Sequence, residues 1–352
     1  MDVMKQTTLA VLFGGTSTEY EVSLQSAYSV IESLNPEKYR LILLGITRRG
    51  EWLKYDGHTG RIKDGSWDQD PCCVPAVISP DRNTRGILVL DGGKAAALPV
   101  DVAFPVLHGK NGEDGTVQGL LELAGIPCVG CGTLSSALCM DKDMAHRLVR
   151  LAGIKTPPSV VLVSPNSEAE LAQQTAGLQY PLFVKPANAG SSFGITKISA
   201  PDGLASAVTA AFEHDRKVMI EEAVGGFEVG CAVLGNETLT TGEVDEIELS
   251  QGFFDYTEKY TLKSSRIHMP ARLEASTARR IKQTAAVIYR ALECRGFARV
   301  DLFLTPENEI VFNEVNTIPG FTPHSRYPNM LSGIGMNFQQ LVEQLVELAL
   351  QA

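Results

Sequence analysis

Apolar residues run unbroken over 8–13 and stop at Gly14-Gly15-Thr16-Ser17, the profile of a buried strand feeding a loop. Val22, Ser26, Val30 and Leu34 then recur at helical spacing, which predicts a helix starting near Glu21. Strand signals over 39–47 and 100–107 and a helical pattern over 116–124 complete a βα alternation that predicts a mainly parallel sheet. Between them, residues 56–98 are rich in Gly, Pro, Asp and Arg with only short strand signals, and read as an elaborated surface region rather than a separate domain. Thr133 is placed to cap one helix reaching about Ala152. A second unit follows, with strands over 160–163, 182–187, 195–199 and 218–222 and helices over 167–178 and 201–215. A third begins near Glu228 with antiparallel strand signals, a polar loop over 250–265, a helix over 274–294 and a terminal helix over 337–350. No internal repeat or low-complexity tract interrupts the pattern.

The alternation over 297–316 carries chemistry. It predicts two strands joined by a tight turn around Pro306-Glu-Asn-Glu309, with Asp301 opposite Glu314 and Arg299 opposite Asn316, all four on one face. Two carboxylates and an amide oxygen crowded together repel unless a cation sits among them, and an oxygen-only set suits Mg2+ shared with substrate phosphates. Arg299 on that face could neutralise phosphate or a developing oxyanion. The plainer alternative is an ordinary hairpin whose polar face meets water. Phe303 and Phe312, expected on the same face as the acids, argue against full solvation.

Composition narrows the classes. With 352 residues, 44% hydrophobic and 20% charged, the chain can bury a large core in two or three domains. A net charge of -10 argues against non-specific nucleic-acid binding. No run of eighteen apolar residues and no secretory h-region is seen, so a soluble, cytoplasmic protein without membrane association is expected. Seven scattered cysteines fit reduced thiols. Cys128-Val-Gly-Cys131 has half the spacing of a zinc site but no second pair, and buried small hydrophobes are the better reading.

The stretch Lys185-Pro-Ala-Asn-Ala-Gly-Ser-Ser-Phe-Gly194 has Gly and Ser flanked by strands on both sides, unlike a Walker A or Rossmann loop, which opens a helix. A strand–loop–strand flap can fold over phosphates, although such loops are common in plain hairpins. Lys185 ends the preceding strand, where a buried ammonium needs an anion. Lys142, on a helix, reads by itself as part of a solvated face.

In order along the chain, Gly14-Gly-Thr-Ser-Thr-Glu-Tyr-Glu-Val-Ser23, His108-Gly-Lys-Asn-Gly-Glu-Asp-Gly115, Met140-Asp-Lys142, 185–194, Glu258-Lys-Tyr260, Arg299-Val-Asp301 and Glu314-Val-Asn-Thr-Ile-Pro-Gly320 resemble the D-alanine–D-alanine ligase family over nearly the whole length. The resemblance implies an α/β, three-domain ATP-grasp fold: a Rossmann-like N-terminal domain over 1–130, a central subdomain over 131–220, and a C-terminal subdomain over 221–352 with a lid near 250–265. It implies ATP, two Mg2+ ions (Mn2+ able to substitute) and a homodimer. Glu19 would bind the ammonium of the first D-amino acid, although a carboxylate there also suits the helix dipole. Ser191, Tyr260, Arg299 and Gly320 would serve the reacting centre, with Arg299 and the Gly320 N–H holding the oxyanion. Lys142, Lys185, Ser192, Glu221, Glu222, Val224, Glu228 and Lys259 would hold ATP, and Asp301, Glu314 and Asn316 the metal ions.

The implied reaction phosphorylates the carboxylate of D-alanine, and the amine of a second D-amino acid then displaces phosphate. Acyl phosphates hydrolyse, so the 250–265 loop would close as a lid against water. His108, Asp245, Phe254, Ser325 and Arg326 would form the substrate pockets. His324-Ser-Arg-Tyr-Pro328 is similar to the vancomycin-resistance branch, and Asp245, Phe254, Arg326 and the retained Glu-Lys-Tyr are similar to its D-alanine–D-serine ligases. D-serine is therefore favoured over D-alanine as second substrate, for peptidoglycan precursors of vancomycin resistance. The alternatives are a D-alanine–D-alanine ligase of ordinary cell-wall synthesis and a non-catalytic regulator that binds nucleotide or D-amino acids.

Overall fold

The computed structural model describes residues 6–188, 190, 194–249 and 265–351, arranged around three sheets. The first contains β1 (Thr7–Gly14), β2 (Tyr39–Ile46), β3 (Trp52–Tyr55), β4 (Cys73–Ile78), β5 (Gly86–Asp91), β6 (Lys94–Pro99) and β7 (Val102–Pro105), in the order β6-β5-β4-β3-β2-β1-β7. Only β1 pairs in parallel, with β2 and β7, and every step from β2 to β6 is antiparallel. The sheet is thus not mainly parallel. Short connections allow only antiparallel neighbours, as at the two-residue Gly92-Gly93 turn, where both glycines have positive φ. The region over 56–98 accordingly supplies strands that widen this sheet. Helices α1 (Tyr20–Ser33), α2 (Gly60–Asp64) and α3 (Thr116–Ala124) accompany it.

The single helix expected over 133–152 is two, α4 (Thr133–Met140) and α5 (Lys142–Leu151), and the residue capping the first is Gly132 rather than Thr133. Asp141 takes an extended conformation between them and accepts the Met144 N–H at 3.2 Å, restarting the helix in a new direction. The break places Lys142 at the first position of α5, nearly buried rather than on a solvated face.

The second sheet has the order β10-β9-β11-β8, from β8 (Ser159–Leu162), β9 (Leu182–Pro186), β10 (Thr196–Ile198) and β11 (Val218–Glu222), all antiparallel. Helices α6 (Glu168–Thr175) and α7 (Leu204–Phe212) cover one face with Leu171, Val208 and Ala211 over Val184, Val218 and Ile220. Ser167 and Glu170 form a capping box at the start of α6.

The third sheet has the order β14-β13-β12-β15-β16, from β12 (Phe227–Leu234), β13 (Thr240–Leu249), β14 (Ser265–His268), β15 (Phe297–Leu304) and β16 (Ile310–Asn316). Helix α8 (Ala275–Ala291) covers one face, burying Ile281, Ala285 and Ile288 against Val229, Val300 and Leu302. The short α9 (Arg326–Ser332) lies on the opposite face, and α10 (Phe338–Leu350) packs its Leu341, Leu345 and Val346 into the core that also holds Leu9, Val11 and Phe13 of β1. Phe297 sits edge-on to Phe104 at 6.4 Å and to Phe321 at 5.5 Å, stitching the first and third units into one core. Among the described residues no helix is long and apolar enough to cross a membrane.

Candidate active site

The β15–β16 hairpin pairs Asp301 with Glu314 and Arg299 with Asn316, as the alternation predicts. Beyond Asp301 the register slips, so that Leu302 pairs with Phe312 and Asn313 is the extra residue of a bulge. Phe312 therefore lies in the apolar core beneath α8, not on the face of the acids as expected. On the polar face Arg299 donates from Nε and Nη2 to the two oxygens of Asp301 at 2.8 and 2.7 Å, and Asn316 adds its amide N–H at 2.9 Å. Burial alone would lower the Arg299 pKa, but the Asp301 carboxylate beside it raises it. Lys142 arrives from α5, its Nζ 3.5 Å from Glu314.

Arg326 begins α9 and lies flat across the same sheet. Its Nε and Nη2 grip Asp245 at 2.7 and 2.8 Å, Nη1 reaches Glu228 at 3.0 Å, and Nη2 comes within 3.5 Å of Asp301. Gly230 makes this approach possible, because a Cβ there would meet Nη2 at 2.4 Å. Of the five guanidinium N–H groups, four face these oxygens, and the fifth, on Nη1, meets no acceptor among the described residues. Glu228, expected among the residues that hold ATP, contacts Arg326.

On the second sheet, β9 carries Lys185 and β11 carries Glu221 on the face away from α6 and α7. Both are buried, with Lys185 Nζ 2.5 Å from Glu221 Oε1. The anion a buried lysine requires is therefore present. Among the described residues, Glu221 Oε2 is buried without a hydrogen-bond partner. Glu222 accepts the Gln179 N–H at 2.9 Å, and Val224 is half-buried at the start of the turn into β12.

The loops of the first unit close the third side. Glu19 is buried at the start of α1, and a Cβ on Gly109 or Gly190 would stand 2.6 or 3.0 Å from its Oε2. His108 bonds the Ile318 carbonyl through Nδ1 at 2.8 Å and Ser26 Oγ through Nε2 at 3.1 Å. Burial depresses its pKa against the opposing pull of Glu19. Glu113, which the sequence did not single out, accepts the N–H of Gly109 at 2.8 Å and of Ile318 at 3.0 Å. Burial and the neighbouring Glu19 push its carboxyl up to about 8, even against those two hydrogen bonds. Its place in His108-Gly-Lys-Asn-Gly-Glu113 was the available signal. Ile318 is thus held by its N–H and its carbonyl, two residues before Gly320. Ser325 precedes α9 without a side-chain cap bond to the helix, its Oγ instead accepting the Thr322 N–H at 3.0 Å. Ser191, Ser192, Phe254, Lys259 and Tyr260, and with them most of the lid, lie outside the described residues.

Among the described residues no three His, Cys, Asp or Glu side chains converge as a ready metal site. The donor set of Asp301, Glu314 and the Asn316 amide nonetheless fits Mg2+, a hard cation that takes its remaining ligands from water and phosphate. Lys142 and Arg299 now balance those charges.

Helix-backed sheets presenting lysines, acids and an amide on the faces turned away from α6, α7 and α8 are the architecture of an ATP-grasp enzyme, an ATP-dependent ligase. A family model described as the D-ala D-ala ligase N-terminus matches residues 8–131, and one described as the C-terminus matches 148–347. The chain is 58% identical to the solved VanG D-Ala:D-Ser ligase from Enterococcus faecalis, with a TM-score of 0.92 over 98% of this chain and 100% of that one. It is 45% identical to the vancomycin/teicoplanin A-type resistance protein VanA of Enterococcus faecium, over 99% of this chain and 100% of that protein. To the D-alanine--D-alanine ligase of Caldicellulosiruptor bescii it is 44% identical, over 99% of this chain and 96% of that protein. The chain belongs to the D-alanine–D-alanine ligase family.

Proposed function

We propose that this ligase joins D-alanine to a second D-amino acid, D-serine in preference to D-alanine, to make a peptidoglycan precursor of vancomycin resistance. ATP lies between the second and third sheets. Lys142 and Lys185 hold its phosphates, while Glu221 Oε2 offers the buried acceptor that the adenine amine fills. Asp301, Glu314 and Asn316 hold two Mg2+ ions, which supply charge neutralisation at the transferring phosphate. Glu19 takes the ammonium of the first D-alanine, turning its carboxylate toward the phosphates. After phosphorylation, the amine of the second substrate attacks the acyl carbonyl. Arg299 and the Gly320 N–H, set by the grip of His108 and Glu113 on Ile318, stabilise the oxyanion.

The observation that carries the D-serine reading is the buried Arg326, pinned by Asp245, Glu228 and Asp301 with one N–H to spare among the described residues. A fixed guanidinium is a directional donor for a substrate hydroxyl, and pairing prevents it from wandering. Competition of equal D-alanine and D-serine with ATP and Mg2+ tests this by the mass of the dipeptide formed. D-alanyl-D-serine should dominate. Product limited to D-alanyl-D-alanine would refute the preference but not the ligase, and ATP turnover without dipeptide would refute both.

A further inference from the structure

His146 has no exposed surface, yet none of the steps above uses it. It lies on α5 one turn beyond Lys142, and its Nε2 is 3.0 Å from the carbonyl oxygen of Asn313. Asn313 is the bulge residue that sends Phe312 to the apolar face and Glu314 to the polar one. The imidazole also meets the Phe312 ring edge-on at 5.3 Å. A carbonyl oxygen can be satisfied only by a donor, so the ring proton sits on Nε2. Burial pushes the imidazole down to about 4, which leaves the ring neutral at physiological pH. Nδ1 is then a buried lone pair, and among the described residues no donor reaches it. Packing alone would be served better by phenylalanine, which fills similar space without an unmet acceptor. The histidine is explained by what its Nε2–H holds.

Helix α5 therefore grips the β16 bulge at two successive turns: Lys142 by the Glu314 carboxylate and His146 by the Asn313 carbonyl. We infer that His146 is a positioning residue that fixes the bulge, and through it the Glu314 carboxylate, against the phosphate-binding helix, and thereby sets the affinity for the divalent cation. A bulge free to relax would return Glu314 toward the regular pleat, where its carboxylate no longer converges with Asp301. This rests on the metal role proposed above for Asp301, Glu314 and Asn316.

The test compares the full chain with His146→Phe, which keeps the bulk and loses the donor, and His146→Gln, whose amide N–H reaches about as far as Nε2. Mn2+ binding in the presence of ADP is measured by the spin-resonance signal of free Mn2+, alongside the Mg2+ concentration for half-maximal ADP release and the melting temperature. His146→Phe should bind Mn2+ roughly tenfold more weakly and need correspondingly more Mg2+, with its melting temperature unchanged or raised, and His146→Gln should recover most of the affinity. Should His146→Phe fail to fold, His146→Asn, polar but too short to reach the carbonyl, replaces it with the same expectation. Mn2+ affinity within twofold of the parent in the donor-less variant, or a loss that Gln does not repair, overturns the role of His146. A parent chain that binds no Mn2+ with ADP overturns the metal assignment itself.

Discussion

Asp301 and Glu314 stand opposite each other, but their present partners differ. Asp301 is enclosed by Arg299, Asn316 and Arg326, whereas Glu314 is met by Lys142 at the looser distance of 3.5 Å. A metal ion at Glu314 would stand where the Lys142 ammonium now meets the carboxylate. Glu314→Gln should keep the fold and lose at least about 100-fold in turnover at saturating Mg2+; near-parental steady-state rates would remove this face from the metal site. Arg326 calls for a gentler change. It grips buried Asp245 through two N–H groups and also meets Glu228 and Asp301, so deleting it leaves the Asp245 carboxylate buried without that cation, a loss of about 3–5 kcal/mol in stability. Arg326→Lys keeps the charge and loses the fork. D-serine kcat/KM should then fall by about 1–3 kcal/mol more than D-alanine kcat/KM. Equal losses would assign Arg326 to the shared carboxylate or to the 317–325 loop. The pairing of Asp301 with Glu314 matches the reading symmetric about the turn only because the extra residue Asn313 restores it, since the register nearest the turn, Leu304 with Ile310 and Leu302 with Phe312, would otherwise set Asp301 opposite Asn313. The displacement of Phe312 was not legible, because Asn313 is as polar as its neighbours and nothing local marks it as a bulge.

The break between α4 and α5 is a local device with distant consequences. Asp141 caps α5 through Met144 N–H, and its other oxygen meets Lys217 at 2.5 Å, while the Lys142 N–H bonds the Ala187 carbonyl beyond β9. One aspartate thus aims the first lysine and ties its helix to the sheet that carries the second. Asp141→Ala should cost about 1 kcal/mol of stability and raise the KM for ATP. Asp141→Asn, able to cap but not to pair, should lose less of both. Denaturation midpoints and ATP kinetics for the two variants decide it, and an unchanged ATP KM in Asp141→Ala would separate the cap from lysine placement. Helical periodicity continues through 133–152, so apolar spacing could not reveal the break. The Asp-Lys pair was visible, but only the contact with Lys217 selects the cap over a continued helix.

Glu113 joins the two ends of the chain, taking one N–H from the first unit and one from the loop after β16. Its carboxyl, ordinarily near 4.5, stands at about 8 in the folded chain, so the folded state binds more protons than the unfolded state between those values. Stability must therefore fall as pH rises through that range. Neutral His146 works in the opposite sense, adding stability as pH rises from about 4 to its ordinary 6.5. Between pH 6.5 and 8 the contribution of Glu113 stands apart, and urea midpoints of the ligand-free chain should decline there, while those of Glu113→Gln should be flatter. Parallel profiles would show that Glu113 is not the titrating group. The first strand and helix, most strands and helices beyond Ser159, the hairpin acids and the family were written in the chain, because they depend on periodicity, turn chemistry and motifs local to a few residues. Antiparallel widening of the first sheet, the helix break, the bulge, and the meeting of Glu113 with Ile318 and of Arg326 with Asp245, Glu228 and Asp301 were settled by packing. These depend on groups up to 205 residues apart, brought together only when burial forces each charge and each backbone N–H to find a partner.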